Sequence, residues 1–173
     1  MISTKLDREA IQDLTDRLLS ARQSNLKRVL DIDHRLELLG EWKNVEVIND
    51  SKSTTVNATR YSLSCMERPI VWLISCMEHQ ADISSLQALV DEKVRAILYV
   101  GQDDDPLIEE FVQHVDVIQS CDNMVELVAE AQKLAEVGEC ILFSPATSVS
   151  DQYDSYIERG IDFRNWVQRT FDQ

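Results

Sequence analysis

Short apolar runs separated by helix-length stretches leave this chain little choice of architecture. Strand-like runs fall at Leu36–Glu41, Val45–Asn49, Ile70–Ser75, Ala96–Val100, Val115–Ile118 and Cys140–Phe143. Helical spacing fills the stretches near Thr54–Met66, Ile83–Glu92, Leu107–His114, Met124–Val137 and Tyr153–Gln168. Strands that alternate with helices are joined by right-handed crossovers, which place the helices on both faces of a mostly parallel sheet. The pattern therefore predicts an α/β, Rossmann-like three-layer domain. The first two strands are joined only by Trp42-Lys43-Asn44, too short for a crossover, so an antiparallel edge hairpin is expected there.

The start of the chain follows a different period. Leu6, Ala10, Leu14, Leu18 and Ala21, with Ile11 and Leu19 beside them, recur at helical spacing and predict an amphipathic helix over Leu6–Leu30. This divides the chain into an N-terminal helix, 1–32, and the α/β domain, 33–173. The apolar stripe of the helix is expected to pack on the domain or to pair with another chain. A length of 173 residues suits one domain. The balance of 17 Lys plus Arg against 31 Asp plus Glu, a formal charge of −14, repels nucleic acid and anionic membrane surfaces. Cys65, Cys76, Cys121 and Cys140 show neither metal-ligand spacing nor a disulfide framework. His79 and Asp82 lack a third ligand, so no metal site is expected. With no leader pattern and no apolar run of membrane length, the chain reads as cytoplasmic.

In sheets of this kind ligands gather at the carboxyl ends of the strands. Asp50–Lys52, Cys76–Asp82, Gly101–Asp105 and Ser144–Ser150 are expected to converge there. Val45–Asn49 runs straight into Asp50-Ser51-Lys52 and then into a helix, whose free N–H groups and positive dipole end favour an anion. Ser51, Lys52 and Thr54 could hold an anionic group at that point, and Thr54 or Thr55 could equally serve as an N-cap.

Asp50-Ser51-Lys52 with Thr54 resembles the D-S-K-x-T turn in the C-terminal domain of the Mur ligases, on the branch that adds D-glutamate to UDP-N-acetylmuramoyl-L-alanine. Other blocks agree in order and near spacing. His34-Arg35-Leu36-Glu37 with Gly40 resembles the family's H-R-L-E…G, Leu142-Phe143-Ser144-Pro145-Ala146 its L-L-S-P-A, and Tyr156-Ile157-Glu158-Arg159-Gly160-Ile161-Asp162-Phe163 its closing F-x-x-R-G-x-x-F. The resemblance covers about His34 to Phe171 and implies that Arg35 and Asp50 contact a nucleotide; a surface ion pair closing the first strands is their competing role. It implies substrate contacts for Ser51, Lys52, Thr54, His79, Ser148, Ser150 and Tyr156. For Tyr156, packing of the last helix is the competing role.

The chain also departs from the family. Where the family carries G-G-x-x-K-G, this sequence reads Ser75-Cys76-Met77-Glu78-His79-Gln80. Both glycines are replaced and His79 stands in place of the lysine, largely neutral at pH 7 on its reference pKa. Val149 falls in register with a substrate-binding serine, with hydroxyls at Ser148 and Ser150 on either side. No G-x-x-x-x-G-K-[ST] loop occurs in the sequence, so catalytic residues are not expected in this chain alone. ATP and Mg²⁺ are expected only if a central ligase domain completes the site. Two readings follow. Met1, the added helix and the altered pocket point to a stand-alone, degenerate relative without ligase chemistry. The alternative is the C-terminal piece of a working ATP-dependent ligase of peptidoglycan synthesis, partnered by another Mur ligase polypeptide.

Overall fold

The computed structural model describes residues 33–75, 82–101, 106–149 and 152–172, so the helix expected at Leu6–Leu30 lies outside the described residues. Over the described residues the fold is α/β, as the alternation predicts. Strands β1 (Glu37–Trp42), β2 (Val45–Asn49), β3 (Ile70–Ser75), β4 (Val94–Val100), β5 (Val117–Cys121) and β6 (Cys140–Phe143) form one sheet in the order β1-β2-β6-β3-β4-β5. β1 pairs antiparallel with β2, and every other neighbouring pair is parallel. The edge hairpin turns through Lys43 and Asn44 at φ 51° and 63°, the left-handed pair that a two-residue hairpin needs to match strand twist.

The helices are α1 (Val56–Cys65), α2 (Gln87–Lys93), α3 (Pro106–Phe111), α4 (Met124–Leu134) and α5 (Tyr156–Phe171). Side-chain caps set where several of them begin. The hydroxyls of Thr55 and Ser155 and the amide oxygen of Asn123 accept from Ala58, Glu158 and Glu126 N–H groups respectively. Strands covered on both faces need apolar side chains at every position, and β3 and β6 are buried throughout. Successive residues then divide between two cores. Trp72 and Leu142 join Leu63 and Phe111 on one face, while Leu73 and Phe143 join Leu127 and Phe163 on the other. Phe143 stacks on Phe163 of α5 with ring centroids 4.4 Å apart, which fixes the last helix against the central strands.

Opposite the strand ends that carry the sequence motifs, an ion pair closes the sheet. Arg95 of β4 binds the Glu139 carboxylate through two nitrogens, with Nη2 2.8 Å from Oε2, and Nη2 also donates to the Leu134 carbonyl at 2.9 Å. Glu139 is buried and accepts from its neighbour Glu136 N as well, at 2.7 Å. Burial works to raise the Glu139 carboxyl, but the Arg95 and Glu136 hydrogen bonds and the Arg95 charge outweigh it and hold the group below its ordinary value. A depressed carboxylate stabilises the fold above its unfolded pKa, and that contribution fades as pH falls through the folded pKa. Glu139→Gln is expected to cost roughly 2–4 kcal/mol near neutral pH, because it strands the Arg95 charge. In urea titrations the gap to wild type should close as pH falls through the carboxylate range. A gap independent of pH would contradict the ion-pair account.

Candidate functional site at the carboxyl edge of the sheet

The turn after β2 is built from its own side chains. Asn49 Oδ1 accepts from Ser51 N at 3.2 Å, and Asp50 O accepts from Ser53 N at 2.9 Å, while Asp50 N extends the ladder to Phe143 O at 2.8 Å. Asp50 is fully buried. Its Oδ1 accepts from Leu36 N at 3.1 Å and its Oδ2 from Ser144 Oγ at 2.8 Å; Ser144 Oγ also lies 2.9 Å from Thr59 Oγ1 of α1. Burial pushes the Asp50 carboxyl above its usual range, against the opposing hydrogen bonds from Ser53, Ser62, Ser144 and the Leu36 amide.

Arg159 and Gly160 of α5 lock this turn to its neighbours. The Arg159 guanidinium, 1% exposed, donates from Nε to Ser51 Oγ at 3.1 Å and from Nη2 to Ser51 O at 2.9 Å. Nη1 reaches Ser148 O at 3.2 Å and Thr147 O at 3.4 Å. One planar fork thus spans the turns that follow β2 and β6, which a single ammonium could not do. Gly160 leaves room for a ring: a Cβ there would stand 2.4 Å from His34 Nδ1. The His34 imidazole is buried, with Nδ1 3.0 Å from Asn49 Nδ2, and that amide also lies 3.2 Å from Glu37 Oε2 and 3.2 Å from Gly160 O. Glu37 in turn pairs with Arg164. The four blocks read from the sequence therefore form one polar lattice. It holds His34, Leu36 and Ala146 at φ 65°, 46° and 61°, left-handed values that cost about 1–3 kcal/mol each outside glycine.

Several residues singled out from the sequence meet here. Arg35 and Lys52 are partly exposed. The Lys52 ammonium stands 5.8 Å from the centre of the Tyr156 ring. Ser51 faces inward, its hydroxyl donating to Tyr156 O at 2.8 Å. Thr55, not Thr54, caps α1, which leaves the partly exposed Thr54 hydroxyl outside the helix. Ser148 is exposed, and its carbonyl is held by Arg159. His79 and Ser150 lie outside the described residues. Buried hydroxyls of Ser75, at the end of β3, and Thr147 have no partner among the described residues. No group of three His, Cys, Asp or Glu able to hold a metal occurs among the described residues. What the edge offers is the partly exposed Lys52 just before a helix N-terminus, an arrangement suited to holding an anion, with the Arg35 charge close enough to Tyr61 of α1 to act on its hydroxyl. The residues the sequence reading left without a role are Arg159 and Gly160, although both stand in a quoted motif.

Residues 34–147 match the family described as Mur ligase, glutamate ligase domain. The chain belongs to the Mur ligase family. It is similar to the UDP-N-acetylmuramoylalanine–D-glutamate ligase of Cytophaga hutchinsonii, 34% identical over 144 residues, covering 83% of this chain and 32% of that protein. The enzyme of the same name from Christiangramia forsetii is 34% identical over 159 residues, covering 90% and 36%. The chain thus spans about a third of the length of these curated relatives. In fold this Mur ligase domain is similar to the UDP-N-acetylmuramate–alanine ligase of Thermotoga maritima, with TM-score 0.52 and 18% identity over 92% of this chain and 36% of that one. It is also similar to E. coli FolC in complex with ADP, with TM-score 0.54 and 16% identity over 80% and 32%.

The lattice makes a direct prediction for the Mur ligase domain. Gly160→Ala should destabilise it by about 1–3 kcal/mol in urea titrations, since the added methyl overlaps a buried ring that cannot retreat. The same substitution should cost much less in a His34→Ala background. Equal costs in the two backgrounds would contradict the packing account.

Proposed function

We propose that this Mur ligase domain is a ligand-binding or regulatory module, a degenerate relative of the D-glutamate-adding ligases that carries out no ligation by itself. The observation behind this reading is an intact turn lattice beside an altered pocket. Arg35 and Lys52 stand at the carboxyl edge where an anion would dock, yet Ser75 puts a side chain at the end of β3 where the family resemblance calls for glycine. Val149 likewise stands where it calls for a serine. In this reading Arg35 and Asp50 form the nucleotide side of the site. Ser51, Lys52, Thr54, His79, Ser148, Ser150 and Tyr156 form the amino-acid side. The sequence has no phosphate loop, and phosphoryl transfer depends almost wholly on such positioning groups and their metal. ATP and Mg²⁺ therefore belong to a central ligase domain, where one completes the site. The reading places the chain in the cytoplasm, with another Mur ligase polypeptide, or a second copy joined through the N-terminal segment, as its partner.

Identity of 34% to proteins named as ligases favours a second reading, in which this chain is the C-terminal part of a working ATP-dependent D-glutamate-adding ligase. D-glutamate separates the two. A charged hydrogen bond to a carboxylate is worth about 1.5–3 kcal/mol, so a neutral His79 in place of lysine costs roughly ten- to a hundredfold in affinity. Titration followed by NMR shifts at Lys52, Thr54 and Ser148 is expected to give weak binding to wild type and tighter binding, by at least about tenfold, to a His79→Lys, Val149→Ser double variant. Wild-type affinity equal to the variant's would favour the ligase reading instead.

A further inference from the structure

Arg35 is bracketed by two residues in the left-handed region, His34 and Leu36, and such backbone persists only where its surroundings impose it. Both flanks are tied to the turn after β2. The His34 carbonyl accepts from Lys52 N at 2.9 Å, and Leu36 N donates to Asp50 Oδ1 at 3.1 Å. Asp50 Oδ2 is taken by Ser144 at 2.8 Å, and the residue is fully buried. A carboxylate placed in this way has no surface to present to a ribose or a phosphate, whereas Arg35 next to it is partly exposed.

We infer that Asp50 is a positioning residue: it acts on an anionic ligand only through Arg35, by holding Leu36 in the left-handed conformation that presents the Arg35 guanidinium at the carboxyl edge of the sheet. The inference rests on the nucleotide-facing reading of Arg35 and changes what Asp50 does within it. A direct ribose contact would need the carboxylate itself as acceptor. A positioning role needs an oxygen towards Leu36 N and a polar atom towards the Ser53, Ser62 and Ser144 hydroxyls, and an amide supplies both, since hydroxyls can accept as well as donate. Burial also pushes the Asp50 carboxyl up, towards the neutral form that an amide imitates.

The test uses the full chain as wild type, Asp50→Asn, Asp50→Ala and Asp50→Ala combined with Leu36→Gly. Two NMR readouts are taken: the intraresidue amide–Hα NOE of Leu36, strong only when φ is positive, and the shift of Arg35 Nε–H on titration with ADP. The strong NOE is expected in wild type and Asp50→Asn and lost in Asp50→Ala. ADP affinity should be unchanged within about threefold in Asp50→Asn and fall by at least about tenfold in Asp50→Ala. Leu36→Gly, free to adopt positive φ, should restore it in the Asp50→Ala background. An Asp50→Asn variant that keeps the NOE yet loses ADP as Asp50→Ala does would overturn the inference in favour of direct contact. Should Asp50→Ala fail to fold, the Asp50→Asn comparison decides alone. Absence of any ADP-induced shift at Arg35 in wild type would instead sink the nucleotide reading, and loss of the NOE in Asp50→Asn would sink the positioning role.

Discussion

The buried guanidinium of Arg159 is the contact on which the carboxyl edge of this domain depends. Turns after parallel strands are short and polar, and the ladder between β2 and β6 sets their spacing only as far as Asp50 and Phe143, not the course of the turns beyond. Arg159 reaches Ser51 from one side and the Thr147 and Ser148 carbonyls from the other, so the turns after β2 and β6 keep one separation. Backbone carbonyls are well suited to this task, because they cannot rotate away as side chains can. The stacking of Phe143 on Phe163, one helical turn beyond Arg159, supplies the apolar anchor that keeps the fork in place.

Function follows from which groups this lattice consumes and which it leaves over. Asp50, Ser51, Asn49 and Ser144 spend their polar atoms on one another, on α1 or on α5. Arg35 and Lys52 remain partly exposed beside them.

Much of the fold was legible because the inner strands β3, β4 and β6 are largely apolar runs and the hairpin turn is too short for a crossover. The expected bounds were least accurate at element ends, where single hydrogen bonds decide. Helix α5 begins at Tyr156 rather than Tyr153 because Ser155 caps it, and α1 begins at Val56 because Thr55 does. β5 starts two residues later than hydropathy suggests, at Val117, and runs on to Cys121. In the site, the meeting of the turns after β2 and β6 was readable from topology alone, while most of Cys76–Asp82 and Gly101–Asp105 lies outside the described residues. The roles of Arg159 and Gly160 were not readable. A buried arginine looks like any other helix arginine in sequence, and the need for glycine at 160 comes from a ring 126 positions earlier in the chain, at His34. Positive φ at Leu36 leaves no trace in composition, since leucine is a poor choice for that region.

The central claim, that the domain keeps a ligand-facing edge but no ligation chemistry, is tested most directly by phosphate release from ATP. The purified full chain would be assayed with Mg²⁺, D-glutamate and UDP-N-acetylmuramoyl-L-alanine all present. The account predicts no release above the buffer rate, and none that depends on Arg35. Steady turnover that disappears in Arg35→Ala would contradict it.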